Sequence, residues 1–294
     1  MNNNIINENG LLKINLDFLG DNYNNLKNSL KKSRIGCVLK SDAYGLGLIE
    51  VTKKLLKIGC HDFFLTNLGE SLKVRKECSK SNIILLNGLI NLKENEIKKV
   101  FLNKIIPTIN SLDELKKFYE LSKSLSTIPK VTLHFDTGIN RLGIDEEETN
   151  QVIQYCKKFQ IRVFCVMSHL ASADEKHNNF NNEQNLKFKK IIKEFPDAIH
   201  SIANSHAIVN LNKIEYNLVR TGGCVFGTIQ TKPFKNIVEL YAKILQIKLI
   251  DNSRRSYGYN QTFQSKQKKK IAIVSFGYAD GYPRVLSNIS YVYF

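Results

Sequence analysis

The sequence predicts an α/β protein: a (β/α)8 barrel of the TIM type over residues 1–235, followed by a partial all-β domain over residues 236–294. Three observations lead there. Short, nearly continuous apolar runs alternate with segments of helical period up to about residue 235. Residues with chemical capability cluster just after the ends of those runs. From Val238 onward the helical period disappears.

Taken in order, the strand-like runs are residues 35–39, 62–66, 83–86, 105–108, 131–135, 163–167, 199–203 and 218–220. Between most of them lie helical patterns at 49–58, 68–78, 112–121, 146–159 and 182–195. Strands that are apolar at nearly every position need cover on both faces, which is the environment of a parallel sheet wrapped by helices. About eight such βα units close a barrel. The runs LYAKILQIKLI and KKIAIVSFGY, joined by the polar stretch DNSRRSYGYNQ, then read as strands of a second domain with its boundary near residues 233–238.

Length and composition narrow the function classes. A chain of 294 residues with 43% apolar content supports one large core and a smaller second unit. The start, MNNNIINENG, lacks a basic segment followed by an apolar one, and no apolar window is long enough to span a bilayer, so a cytoplasmic location is expected. Six scattered cysteines form no Cys-x-x-Cys or Cys/His cluster, which predicts free thiols and no metal. The net charge of +16 invites a nucleic-acid reading. Only 8 of the 43 basic residues are arginine, however, and the lysines fall on helix-like stretches such as VTKKLLKIG, a pattern that gives solubility rather than base readout.

The chemistry lies at the predicted strand ends. Lys40 closes the run Ile35-Gly36-Cys37-Val38-Leu39 and opens a turn-rich loop. An ammonium is costly to hold at the end of a buried strand, and the neutral amine is the form that condenses with an aldehyde. A snorkelling strand-end lysine is the plainer alternative. After the run at 131–135 comes HFDTGINRLG, which sets Arg141 in a glycine-bracketed turn where Asp136 and Thr137 can bond local backbone. His169 follows the run at 163–167, and as an isolated histidine it reads first as a satisfied core imidazole. Asn204-Ser205 and Arg220-Thr221-Gly222-Gly223 follow the last two runs; glycines and a short hydroxyl there suit phosphate, whose oxygens need close approach of backbone N–H groups. In the second domain, Tyr257 and Tyr278 stand beside glycines, either as turn packing or as a proton-transfer group and its neighbour.

Seven ordered segments, VLKSDAYGLG, HFDTGINRLG, VMSHLASADE, ANS, RTGG, SYG and GYADGYPR, together resemble the alanine racemases. The resemblance implies a pyridoxal 5'-phosphate enzyme in which Lys40 holds the cofactor as an aldimine and Tyr44, Asn204, Ser205, Gly222 and Gly223 surround its phosphate. His169 would stack on the ring, and Arg220 would donate to the ring nitrogen. Because a guanidinium keeps its proton, that nitrogen stays unprotonated, the ring is a poorer electron sink, and prompt reprotonation wins over transamination. Arg141 and Tyr278 would meet the substrate. Tyr257 would reach across a homodimer interface to act as the second base opposite Lys40. The activity implied is interconversion of L- and D-alanine for peptidoglycan precursors. Alternatives are a pyridoxal-phosphate-binding homologue without turnover, a nucleic-acid-binding protein, and racemisation of serine or a bulkier amino acid. One position departs from the family pattern: His134 stands where a lysine, sometimes carbamylated, is common. The family also continues past the point corresponding to Phe294, with a Cys-Met-Asp-Gln-like segment and a later tyrosine, so a truncated β domain with weak dimerisation and poor turnover is expected.

Overall fold

The protein is described by a computed structural model covering residues 10–125, 130–211, 215–250, 256–264 and 267–293. It divides into two units, Leu16–Ile237 and a second that combines Met1–Asn15 with Val238–Phe294. The chain opens with strand β1 (Gly10–Ile14) and helix α1 (Leu16–Ser29). Then follow β2 (Arg34–Val38), the helical turn α2 (Lys40–Gly45), α3 (Leu48–Lys57), β3 (Asp62–Leu65), α4 (Leu68–Glu77), β4 (Asn82–Leu85), α5 (Glu94–Leu102), β5 (Ile106–Ile109) and α6 (Leu112–Ser124). The first unit is completed by β6 (Val131–His134), α7 (Glu146–Lys158), β7 (Val163–Met167), α8 (Phe180–Ile192), β8 (Ile199–Ser201), α9 (Ser205–Asn210), β9 (Leu218–Thr221) and α10 (Gly223–Phe226).

Strands β2 to β9 lie side by side in the order β8-β7-β6-β5-β4-β3-β2-β9, every neighbouring pair parallel. The ends of that order meet where the Arg220 N–H donates to the Ala203 carbonyl at 3.0 Å, so the sheet forms a nearly closed barrel. In β3, β5, β6 and β9 every residue is buried, as strands covered on both faces require. Phe64, Ile84, Ile106, Cys165, Met167 and Leu218 pack together into a cluster contributed by five strands. Gly36 makes room for it: a Cβ there would sit 2.4 Å from the Phe64 ring. Near the strand starts, Asp62 accepts two hydrogen bonds from Arg34, at 2.6 and 3.0 Å, and one from Asn82 at 2.8 Å, tying β2, β3 and β4 at the end of the barrel away from the lysine. The helices present apolar faces to the barrel, α3 through Leu48, Val51 and Leu55 and α6 through Leu112, Leu115 and Phe118.

The second unit contains β10 (Val238–Ala242), β11 (Ile244–Ile250), β12 (Ser256–Tyr257), β13 (Phe263–Gln264) and β14 (Lys269–Val274). All pair antiparallel: β1 with β10, β11 with β14, β12 with β13. The N-terminal strand belongs with this unit by its pairing. Residues 10–14 fall within the span 1–235 assigned to the barrel, yet β1 zips onto β10 from Gly10↔Ala242 to Ile14↔Val238. The physical reason is connectivity, since a parallel barrel strand is reached through a crossover helix whereas an N-terminal strand is free to pair antiparallel with any open edge. The run LYAKILQIKLI also divides, because its halves belong to β10 and β11, which have different partners.

Candidate active site

Lys40 follows β2 and opens a backbone conformation that the sequence did not announce. Ser41, Asp42, Ala43 and Tyr44 all have φ between 54 and 59°, four consecutive non-glycine residues in the left-handed helical region. Left-handed backbone costs L-residues about 1–2 kcal/mol each, so the turn carries roughly 4–8 kcal/mol of strain that its surroundings must offset. Several bonds hold it. The Ala43 N–H donates to the Leu39 carbonyl at 3.0 Å, the Gly47 N–H to the Asp42 carbonyl at 3.1 Å, and the Leu48 N–H to Asp42 Oδ1 at 3.0 Å. Ala43 is buried beneath the turn, and the Tyr44 ring meets Phe226 edge-on with centroids 5.3 Å apart. Lys40 itself is half-buried rather than enclosed, with Nζ 5.8 Å from the Tyr44 ring centroid.

Lys40 lines a cavity of about 440 Å³ at the C-terminal ends of the strands, shared with Tyr44, His134, Arg141, His169, Asn204, Ser205, Arg220, Gly222 and Gly223. Nine sequence-predicted site residues are thus brought together: Lys40, Tyr44, Arg141, His169, Asn204, Ser205, Arg220, Gly222 and Gly223. Tyr257 and Tyr278 belong to the second unit and are absent from this lining. Tyr257 lies in the β12–β13 hairpin with its ring 6.4 Å from that of Phe263, and Tyr278 is half-exposed at the start of a 3-10 turn, Tyr278–Asp280.

One side of the cavity carries the residues that the sequence assigned to phosphate. Helix α10 begins directly after Gly222, and a Cβ on Gly222 would lie 2.9 Å from the Tyr44 ring and 3.0 Å from its hydroxyl. Ser205 Oγ accepts the Gly223 N–H at 3.0 Å and pairs with Thr221 Oγ1 at 2.9 Å. Asn204 caps α9 by accepting the Ala207 N–H at 3.0 Å. Glycine backbone open to close approach, a hydroxyl and a phenol at one place suit a phosphate monoester, with the Gly223 N–H held by Ser205 Oγ in this structure.

Arg220 supplies the second test of fit. It is buried, and four of its five N–H groups are engaged: Nη1 donates to the Ser201 carbonyl at 2.9 Å and to Ser201 Oγ at 2.7 Å, Nη2 to the Ser168 carbonyl at 2.5 Å and to His169 Nδ1 at 3.3 Å. The Nε–H is left without a hydrogen-bond partner among the described residues, a donor reserved for an acceptor such as a ring nitrogen. Burial pushes the guanidinium down to about 10, which leaves it charged at neutral pH. His169 is pushed down to about 3 by burial and by Arg220, so it is neutral, and as acceptor at Nδ1 it carries its proton on Nε2.

His134 ends β6 and is likewise pushed down to about 3 by burial and by the charge of Arg220. Its Nδ1 lies 3.0 Å from Asn110 Oδ1 and donates to it, which leaves Nε2 as the acceptor of a neutral ring in the cavity lining. In the DTG turn, Asp136 accepts the Gly138 N–H at 2.7 Å and the Arg141 N–H at 3.0 Å, and although burial opposes it these amide bonds hold its carboxyl below the usual range. Thr137 differs from expectation: its hydroxyl bonds Ser168 Oγ at 2.7 Å and Gln184 Nε2 at 3.2 Å instead of local backbone. Thr66, Asn87 and Met167 also line the cavity and were missed. Each stands at or just past a strand end, so the rule that barrel chemistry sits there was the signal available.

A parallel barrel with a strand-end lysine, a glycine–serine phosphate cradle and a reserved guanidinium donor defines a cofactor-binding α/β barrel of the kind that serves pyridoxal phosphate. A family model of the alanine racemase N-terminal domain matches residues 14–230, and one of the C-terminal domain matches residues 237–294. Alanine racemases of Rickettsia bellii and Rickettsia canadensis are 35% and 34% identical over 88% and 94% of this chain, which spans 64% and 77% of their lengths. The crystal structure of alanine racemase from Bartonella henselae with covalently bound pyridoxal phosphate superposes with a TM-score of 0.86 at 29% identity, covering 96% of this chain and 79% of that one. The Acinetobacter baumannii alanine racemase gives 0.81 at 27% identity, covering 93% and 77%. The chain belongs to the alanine racemase family of pyridoxal-phosphate-dependent isomerases.

Proposed function

We propose that this chain interconverts L- and D-alanine on pyridoxal phosphate held by Lys40, in the cytoplasm, supplying D-alanine for peptidoglycan. The observation that carries the reading is the convergence in one cavity of the strand-end Lys40, the Ser205–Gly222–Gly223 cradle and the reserved Nε–H of Arg220. When bound, the cofactor supplies the electron sink that makes the Cα–H of an amino acid labile. Lys40 moves the proton at Cα on its own face. Arg220, charged through the neutral range, would hold the ring nitrogen with a donor that keeps its proton, an arrangement that would disfavour transamination. Neutral His169 packs beside Arg220 and adds no further charge there. Arg141, exposed and fixed at its backbone by Asp136, offers its guanidinium to the substrate carboxylate; a substrate role for Tyr278 rests on the family resemblance alone.

Inversion at Cα needs a second base on the opposite face, and Tyr257 of the partner subunit in a homodimer is assigned that role. The apolar strip of β11, where Ile244, Ile247 and Leu249 are each more than half exposed, supports an association surface on the β unit. The test is exchange of the Cα proton in heavy water. With Tyr257→Phe, exchange from one alanine enantiomer should fall at least a hundredfold more than from the other, because Lys40 still serves its face. Equal loss from both enantiomers removes Tyr257 from the role, and no exchange in the unmodified protein identifies a cofactor binder without turnover.

A further inference from the structure

The backbone of the strained turn after Lys40 donates a hydrogen bond to a side chain of another βα unit, Glu70. It belongs to the first turn of α4, the helix that follows the neighbouring strand β3. Glu70 Oε1 accepts the Asp42 N–H at 2.8 Å, and Asp42 is the second of the four left-handed residues. The bond is unusual in its reach: among the bonds that hold residues 41–44, those at the Ala43 N–H, the Asp42 carbonyl and Asp42 Oδ1 connect the segment to residues within six positions of it. Among these hydrogen bonds, the one to Glu70 reaches another βα unit, and it acts on the backbone where the Tyr44–Phe226 ring contact acts on a side chain. Glu70 is itself fixed, because its backbone N–H donates to the capping side chain Asn67 Oδ1 at 2.8 Å and so sets where the carboxyl begins.

The second oxygen adds an independent observation. Glu70 Oε2 is buried and has no hydrogen-bond partner among the described residues. A buried carboxyl oxygen without a partner is unfavourable, and a side chain placed only to stabilise α4 would gain by turning it to solvent. Its retention inside is explained if the other oxygen must stay on Asp42. We infer that Glu70 is a positioning residue: it clamps the left-handed turn and thereby fixes the position of the Lys40 amine relative to the Ser205–Gly222–Gly223 cradle. Two anchor points for one cofactor must keep their separation, since a shift of about 1 Å at a reacting group lowers rate on the order of a hundredfold. This rests on the reading of Lys40 as the cofactor lysine.

The test compares the full-length, cofactor-loaded protein with Glu70→Gln and Glu70→Ala. Glutamine keeps an oxygen acceptor for the Asp42 N–H and alanine removes it. Amide exchange of the peptide covering residues 39–48, the half-time of pyridoxal phosphate loss on dilution, and kcat and KM for L-alanine are measured together. Glu70→Ala should exchange that peptide at least tenfold faster, lose cofactor about tenfold faster and lower kcat with little change in KM, while Glu70→Gln restores most of all three. Unchanged exchange in Glu70→Ala overturns the proposal, and so does a Glu70→Gln protein as impaired as Glu70→Ala. Should the alanine variant fail to fold, Glu70→Asp, one methylene shorter, replaces it with the same expected outcome. Exchange is read whether or not the protein turns over alanine, so an inactive protein with a Glu70-dependent turn overturns the functional reading and leaves the clamp standing.

Discussion

His134 illustrates how a single residue is set by its surroundings. In the folded protein burial, with Arg220 as the next contribution, pushes its pKa to about 3, whereas in the unfolded chain the imidazole titrates near 6.5. The sign follows from proton uptake: between those values the unfolded chain binds a proton that the folded site refuses. Stability is therefore complete above about pH 6.5 and falls as the pH drops toward 3, by about 2 kcal/mol at pH 5 from this residue alone. Replacing His134 with glutamine should remove that share, so that urea unfolding at pH 5 and pH 7 differs by about 2 kcal/mol less in the variant. An unchanged pH difference would show that His134 is charged in the folded state. The sequence marked this position only as a departure from the family pattern; its neutral ring depends on Asn110, 24 residues earlier and on a different strand's end.

Among the elements, the strands were the most legible. All eight barrel strands lie where short apolar runs put them, because a strand covered on both faces has little choice but to be apolar throughout. Helices α1 and α5 were not expected. Helix α1, LDFLGDNYNNLKNS, is asparagine-rich with a central glycine, a poor helix former by propensity, and it is held by tertiary contacts. Its Asn22 is buried and donates to the Val225 and Lys235 carbonyls at 3.1 and 2.8 Å while accepting the Lys235 N–H at 2.8 Å. Those partners are more than 200 residues away, beyond any local pattern. The left-handed α2 turn was likewise read as an ordinary loop, since Ser-Asp-Ala-Tyr carries no glycine to announce positive φ. The Gly222 start of α10 makes a prediction at this scale. Gly222 has an ordinary φ of −118°, so the cost of a side chain there is spatial: Gly222→Ala drives a methyl into the Tyr44 ring. About 1–3 kcal/mol of destabilisation and roughly tenfold weaker retention of pyridoxal phosphate are expected, read by thermal unfolding and by equilibrium dialysis. Full retention with unchanged stability would mean that Tyr44 is not fixed against the cradle.

For the molecule as a whole, order along the chain and position in the barrel say the same thing. Motifs up to 183 residues apart in sequence, from Lys40 to Gly223, converge because every βα unit delivers its C-terminal strand end to the same rim. That convergence is why residues picked out along the sequence line one cavity, and Tyr257 and Tyr278 are the residues for which the reading rests on resemblance, since they lie in a different unit. The central claim is that Lys40 carries the cofactor covalently. Borohydride reduction of the pyridoxal-phosphate-loaded protein, followed by proteolysis and mass spectrometry, tests it directly. A single phosphopyridoxyl adduct is expected on the peptide containing Lys40, present in the unmodified protein and lost in Lys40→Ala. An adduct on another lysine, or one that survives intact in Lys40→Ala, would contradict it.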